Sequence, residues 1–269
     1  PEEGGDAEVL ALQETYVRAT IDAVLELDNV LFEICNECKP EANAWQAHMI
    51  AVARAHMQAR DRVFPIGFTG PGTYDNNEFP DFAVQLASDA DFVSPRDNTA
   101  YKNSPPASDG AKVIFADSDH IDPYGRNAAW VWKSFTRGLH PQALEAYDVL
   151  PPDPPAIDPA RDERVRLSLG ACRLVSERVD LATMVPDVAR CSSGYCLARA
   201  DAGAPVIAFV PGGGPVEVEL AGADGALPVE WYELATGSFI PGDSVAGGAA
   251  VELTPPFAGS AVALIGLDP

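Results

Sequence analysis

The stretch of sequence that decides the fold is NVLFEICNE, Asn29–Glu37. Within it, Val30–Ile34 is mostly apolar and carries β-branched and aromatic side chains, which is typical of a largely buried strand in a parallel sheet. The run leads through Cys35 to the pair Asn36 and Glu37. In barrels of alternating strands and helices, residues at this end of a strand carry out the chemistry. The pair is therefore a candidate site, and the alternative is a capped turn with no catalytic role.

A carboxylic acid beside a side-chain amide has a definite chemical use at such a strand end. The acid can protonate the leaving oxygen of a glycosidic bond, and the amide can hold a sugar hydroxyl. The pair Asn36 and Glu37 therefore favours an enzyme that cleaves sugars.

Helix-like and strand-like patterns alternate along the first 180 residues. An amphipathic helix is predicted over Glu8–Leu27, with Val9, Leu12 and Tyr16 on its apolar face. Residues 98–110 are predicted to form a polar loop. Further helices are predicted over Asn43–Arg60 (capped by Asn43), Phe82–Ala87, Asn127–Leu139 and Asp162–Arg178. Strands are predicted over Val30–Ile34, Val63–Phe68, Asp91–Ser94, Lys112–Ala116 and Gln142–Leu144.

From about Asp180 the pattern changes to short strand-like runs separated by turns rich in glycine and proline. This spacing predicts an antiparallel sandwich and not a continuation of the alternating pattern. The predicted strands are Tyr195–Ala200, Val206–Val210, Val216–Leu220, Val229–Glu233, Ala250–Leu253 and Ala261–Ile265.

The predicted fold class is therefore α/β followed by all-β, with domains at residues 1–180 and 181–269. The first domain contains only about four or five strand-helix units, whereas a complete eight-unit TIM (β/α)₈ barrel needs ~250 residues. We therefore predict a partial barrel whose missing units would precede Pro1, and we expect the chain to be an N-terminally truncated fragment.

The chain is strongly acidic, with 18 Lys+Arg against 40 Asp+Glu and a net charge of −22. This charge argues against nucleic-acid phosphates and anionic membrane surfaces as partners, because both require a basic footprint. No apolar stretch has the length of a membrane span, and the opening PEEGGDAE is not a signal peptide. We expect no cofactor and no metal.

The five cysteines do not suggest a disulfide framework in a chain of this length. Cys35 and Cys38 have C-x-x-C spacing; we interpret them as small buried hydrophobic residues, with a redox or metal site as the alternative. Cys191 and Cys196 flank a Ser-Ser-Gly turn and could bridge a hairpin in an oxidising compartment.

Four segments together resemble one family. They are NVLFEICNE (29–37), KVIFADSDHI (112–121), AAWVWKSFTRGLHP (128–141) and the tail that contains AFVPGGGPVEVEL (208–220). The chain is similar to cellulase-like (β/α)₈ glycoside hydrolases of the clan A type that end in a small β-sandwich called a collagen-binding domain. The resemblance implies barrel strands four to eight followed by the sandwich, a carbohydrate substrate, and a secreted or periplasmic location.

The resemblance also implies roles for individual residues. Glu37 would be the general acid/base and Asn36 would contact the sugar 2-hydroxyl. The nucleophile of the clan ends strand seven; here that strand ends in Asp117-Ser118-Asp119-His120, where the clan has Glu. We favour Asp119 over Asp117, and the alternative is that both aspartates cap a loop.

Three further residues are predicted to bind substrate. They are His120 beside Asp119, Asp97 after the predicted strand Asp91–Ser94, and Trp132 in the aromatic helix, which could stack on a sugar or lie in the core.

Two functions remain open. The first is a glycoside hydrolase, with a two-carboxylate and retaining mechanism. The alternative is a non-catalytic scaffold that binds carbohydrate or protein. Residues 181–269 contain no aromatic strip and no basic patch, so collagen binding is not supported.

Overall fold

The computed structural model describes residues 6–36, 38, 40–69, 83–95, 99–118, 127–143 and 158–267. The chain forms two compact units: Pro1–Asn98 with Ala111–Phe115, and Thr99–Gly110 with Ala116–Pro269. The second unit therefore joins the last barrel-like elements to the sandwich, whereas the sequence suggested a boundary at residue 180. That domain boundary stays a prediction.

The first unit alternates helices and strands. Helix α1 begins after Asp6, whose carboxylate accepts a hydrogen bond from the Glu8 backbone N–H at 2.8 Å. The elements in chain order are α1 (Ala7–Ala23), β1 (Phe32–Glu33), α2 (Asn43–Gln58), β2 (Ile66–Thr69), α3 (Ala83–Ala87), β3 (Phe92–Ser94) and β4 (Val113–Asp117). Strand β4 begins in the first unit and ends in the second.

The second unit continues with α4 (Thr99–Asn103), α5 (Ala128–Phe135), β5 (His140–Gln142) and α6 (Pro159–Ser176). Eight strands then follow in the β-rich part: β6 (Met184–Pro186), β7 (Cys196–Arg199), β8 (Val206–Val210), β9 (Val216–Glu219), β10 (Ala226–Glu233), β11 (Ser238–Ala246), β12 (Ala250–Leu253) and β13 (Ala261–Ile265).

Strands β1 to β5 form a five-stranded sheet in chain order, β1-β2-β3-β4-β5. The pairs β1–β2, β2–β3 and β3–β4 are parallel. The strand order never reverses within these five strands, so the sheet lacks the switch point of a doubly wound fold and has the order expected of a barrel segment. This mixed α/β architecture, with a parallel sheet of five strands, confirms the coarse fold prediction.

The prediction of antiparallel strands after residue 180 is confirmed in its main strands. A six-stranded sheet, β11-β10-β13-β8-β7-β6, is antiparallel, as is the pair β12-β9. Strands β8 and β13 are buried along their whole length. The sequence pattern missed β6 and β11. Strand β11 was missed because it contains Gly and Pro and has no buried residue.

Several local predictions are wrong. Residues 98–110 contain helix α4. Helix α2 begins after Ala42, and Asn43 is its first residue instead of its cap. Helix α1 turns its predicted apolar face outwards: Leu12 and Tyr16 are 69% and 73% exposed, while Ile21 is buried. An amphipathic pattern identifies a helix, but it does not say which neighbour covers it.

Candidate functional site

The candidate site is the edge of the parallel sheet where the strands end. In the first unit, each strand from β1 to β3 is followed or closed by polar side chains there: Asn36 after β1, Thr69 at the end of β2 and Ser94 at the end of β3. In the second unit, Asp117 ends β4 and Ser118 follows it. Thr69 and Ser94 are direct partners in the ladder between β2 and β3. In folds of this class, ligands bind at the carboxyl ends of the strands.

The end of β1 is anchored to β2 by backbone hydrogen bonds. The Phe32 N–H donates to the Pro65 carbonyl at 2.8 Å, and the Ile34 N–H donates to the Gly67 carbonyl at 3.4 Å. Asn36 then lies exposed in a bend. The predicted amide is thus accessible at the strand end, which is the placement that contact with a sugar hydroxyl requires.

The two half-buried cysteines at this strand end are joined in a disulfide, Cys35–Cys38. Our interpretation of them as small buried hydrophobic residues is therefore wrong. A metal site there is equally unsupported, because no cluster of three or more His, Cys, Asp or Glu occurs among the described residues. The sequence did carry the signal, since C-x-x-C spacing permits a short disulfide loop.

Asp117, the second candidate for the nucleophile, is described. It is half-buried and ends β4. The other four predicted residues, Glu37, Asp97, Asp119 and His120, lie outside the described residues, so their roles stay predictions.

Trp132, which was predicted to bind substrate, is buried in the core. Its side chain is 0% exposed and packs against Phe135 and Tyr232, with ring centroids 5.7 and 5.3 Å apart. Because a sugar cannot reach the ring, Trp132 is corrected to a core residue. Two tryptophans at spacing i, i+2 on a helix cannot both face one surface, and both of these, Trp130 and Trp132, are buried.

Sequence reasoning missed the buried polar residues at the strand ends. Thr69 and Ser118 are each 1% exposed and Ser94 is 7% exposed. Their signal was present as a hydroxyl residue at the end of each apolar run, in IGFT, FVS and FADS. Such residues are candidates to orient substrate or the neighbouring side chains, because a buried hydroxyl requires a hydrogen-bond partner.

The parts of the chain that the structure describes contain no helix with the length and apolarity of a membrane span.

Comparison with known proteins shows which solved structures share the fold of this chain. No protein-family model and no curated protein matches the sequence. Solved structures do match. One is described as a glycoside hydrolase, with a TM-score of 0.63, 11% identity, and coverage of 95% of this chain and 68% of that one. A glycoside hydrolase family 5 protein from Bacteroides vulgatus has a TM-score of 0.64 at 10% identity, covering 95% and 66%. The catalytic domain of GH30 xylanase C from Talaromyces cellulolyticus has a TM-score of 0.55 at 11% identity, covering 95% and 66%.

The chain has a glycoside hydrolase-like fold. It spans about two thirds of the length of these structures. At such low identity the likeness shows the fold alone, and it implies a TIM-like arrangement of the parallel sheet. The resemblance of residues 181–269 to a collagen-binding domain stays a prediction.

Proposed function

We propose that the chain is part of a retaining glycoside hydrolase that cleaves O-glycosidic bonds in an oligo- or polysaccharide. The parallel sheet would be strands four to eight of a (β/α)₈ barrel. The observation that carries this proposal is the strand order: β1, which leads into Asn36 and Glu37, and β4, which ends in Asp117, are three strand positions apart. Strands four and seven, which bear the two carboxylates in the resembled family, have the same separation.

In the proposed mechanism, Asp119 attacks the anomeric carbon while Glu37 donates a proton to the leaving oxygen. The bond from the sugar to the leaving group breaks, and a glycosyl ester forms on the aspartate. Glu37 then removes a proton from water, whose oxygen displaces the aspartate and restores both carboxyl groups. Asn36 would hold the sugar 2-hydroxyl. The hydrogen bond between them would strengthen as positive charge develops on the sugar ring.

The test compares four variants in the longest natural polypeptide that contains this chain. Hydrolysis of p-nitrophenyl β-glucoside, β-xyloside and β-cellobioside is measured for Glu37→Gln, Asp119→Asn, Asp117→Asn and Glu41→Gln. Loss of a general acid or base typically costs 10²- to 10⁴-fold in rate, so we expect such a loss for Glu37→Gln. We also expect Asp119→Asn to be inactive, because an amide cannot form the glycosyl ester. Glu41 is an exposed carboxylate in the same segment as Glu37 and serves as the matched control.

Circular dichroism must show that each variant keeps its fold. If Glu37→Gln hydrolyses these glycosides as fast as the parent protein does, the proposed acid is wrong. If Asp117→Asn is inactive and Asp119→Asn is active, the nucleophile is reassigned to Asp117.

A further inference from the structure

Two histidines of α2 contact two carboxylates of α1 in the same register. His48 Nε2 lies 2.9 Å from the Glu14 carboxylate, and His56 Nε2 lies 2.9 Å from the Asp22 carboxylate. In both pairs the partners are 34 residues apart in the chain, which is the pattern of two neighbouring helices that run parallel. We propose that the two pairs form a pH-sensitive latch, which holds α1 against α2 while the histidines are charged and loosens as they lose their charge. This inference goes beyond the proposed function and does not depend on it.

Helix α1 depends on such polar contacts because little of its apolar surface is covered. Of its 17 residues, all of which the structure describes, only Ile21 is buried. Leu12 and Tyr16 face outwards, and α1 packs chiefly on α2 among the described elements. A surface helix is usually held in place by its apolar face. The side-chain contacts between α1 and α2 therefore carry more of the attachment here than in an ordinary helix pair.

The charge of each histidine sets the strength of its pair. A histidine changes charge between about pH 5 and pH 8, whereas a carboxylate stays ionised over this range. The charged imidazole donates a charge-assisted hydrogen bond, which is roughly twice as strong as a bond between neutral groups. The neutral imidazole still donates from Nε2 in only one of its two tautomers. Each pair therefore weakens as the pH rises and the histidine loses its proton.

The other charged groups that face these pairs keep their charge over this range. Arg18 donates to the Glu14 carboxylate at 2.7 Å from the same helix. Arg60, which follows α2, donates to the Asp22 carboxylate at 3.0 Å. The hydrogen bond with Arg18, followed by that with His48, lowers the pKa of Glu14. Because arginine stays protonated, the histidines are the groups whose charge changes among the described residues of this interface.

The chain after α1 is anchored separately from the latch. The Arg62 guanidinium donates to the Leu27 carbonyl at 2.7 Å and to the Asp28 carboxylate at 3.3 Å. This anchor lies between α1 and β1 in the chain, and β1 is paired with β2. The part of the chain that loosens with the latch is therefore α1, while β1 keeps its place in the sheet.

Hydrogen–deuterium exchange measures the attachment of α1. Peptides that cover α1 are followed by mass spectrometry at about pH 5.5 and about pH 8 in the longest natural polypeptide that contains this chain. Each rate is divided by the intrinsic exchange rate at that pH. The double variant His48→Gln/His56→Gln keeps an N–H donor on each side chain but does not titrate. Arg60→Gln is the matched control, because it removes a charged contact with Asp22 that is present at both pH values.

We expect the corrected exchange of α1 in the parent to be about 2- to 30-fold faster near pH 8 than near pH 5.5, which is the range that two exposed ion pairs can contribute. The double variant should show the same corrected rate at both pH values. It retains His120 and His140, so a pH effect that arises at either of them would persist. Arg60→Gln should speed the exchange of α1 at both pH values and keep the pH dependence of the parent.

Equal corrected exchange of α1 at the two pH values in the parent would overturn the latch, and this measurement needs no substitution. A folded double variant whose pH dependence matches that of the parent would overturn it as well, and circular dichroism checks the fold. Glycoside hydrolysis plays no part in this experiment. Failure of the latch therefore leaves the proposed function untouched, and failure of the proposed function leaves the latch untouched.

Discussion

Tyr101 is a residue whose environment changes its chemistry. Its side chain in α4 is buried, and this burial, together with the nearby negative charge of Asp109, raises the pKa of the phenol to about 12. Since the folded-state pKa lies above 10.0, the ordinary pKa of a tyrosine, the stabilising contribution of the protonated phenol is complete below pH 10. It is lost as the pH rises towards 12.

We expect absorbance at 295 nm to show a tyrosine that titrates near pH 12 in the native protein, and Tyr101→Phe to lack this step. Asp109→Asn should lower the pKa of Tyr101, because it removes the repulsion that disfavours the phenolate. A Tyr101→Phe protein with an unchanged alkaline titration would show that the high pKa belongs to another tyrosine.

Trp132 is a core residue of α5 that packs against Phe135 of the same helix and Tyr232 of β10. We expect Trp132→Ala to reduce the free energy of unfolding by about 3–5 kcal/mol, because it leaves a large cavity. Trp132→Phe should cost less, since it keeps an aromatic ring and removes an indole N–H that has no hydrogen-bond partner. Urea unfolding measures both variants, and equal costs would contradict this account of the site.

At the scale of elements, helices α1 and α2 are joined by charged side chains on their exposed surfaces. The Asp22 carboxylate contacts His56 Nε2 at 2.9 Å and accepts a hydrogen bond from Arg60 Nε at 3.0 Å. The hydrogen bond with His56, followed by that with Arg60, lowers the pKa of Asp22. A second pair, Glu14 and His48, also connects the two helices at 2.9 Å.

The stability that Asp22 contributes has a definite pH window. Because its pKa is lowered on folding, the contribution is present above 3.8, the ordinary pKa of an aspartic acid, and is lost as the pH falls through the folded-state pKa. We expect Asp22→Asn to lower the melting temperature at pH 7 and to lower it less near pH 2. Asp28→Asn is the control, because the Asp28 side chain is 92% exposed. An equal effect of Asp22→Asn at both pH values would contradict the assignment.

In the sandwich, Arg190 connects strands and turns that are distant in sequence. Its guanidinium is 6% exposed and donates to the carbonyls of Glu219 at 2.9 Å, Ala202 at 2.6 Å and Gly203 at 2.9 Å. Lysine keeps the charge but lacks the planar array of donors. A polar group that is shielded from water and loses its hydrogen-bond partner costs about 1–3 kcal/mol.

We therefore expect Arg190→Lys to lower the free energy of unfolding by at least about 1–3 kcal/mol, which is the cost of one carbonyl left without its partner. The matched control is Arg173→Lys, because Arg173 is an exposed arginine that pairs with Glu177, the residue directly after α6. Urea titration of both variants provides the comparison, and a native-like stability for Arg190→Lys would contradict the role of the guanidinium.

At the scale of the whole molecule, the charge of the protein and the apolar surface of α1 have opposing effects. The net charge of −22 opposes association, whereas Val9, Leu12 and Tyr16 form an exposed apolar row on α1 at 48%, 69% and 73% exposure. Exposed apolar rows of this kind favour contact with another surface.

We expect residues 1–269 alone to self-associate through this row, more strongly at high salt because salt screens the repulsion. Sedimentation velocity should show a concentration-dependent size, and Leu12→Glu/Tyr16→Glu should reduce it. A monodisperse monomer that melts cooperatively at all concentrations would contradict this prediction. Thr15→Glu is the control, because it adds an acid on α1 without removing an apolar contact.

The period of apolar residues by itself predicted the alternating helices and five strands, and the change to β-sandwich strands near residue 180, because this period is a local property of the chain. It also placed Asn36 and Asp117 at strand ends. Other features depend on residues far away in sequence. These include the outward apolar face of α1 and the burial of Trp132 against Tyr232. Only the tertiary structure decided them, because covering a face requires the folded chain to bring distant partners together.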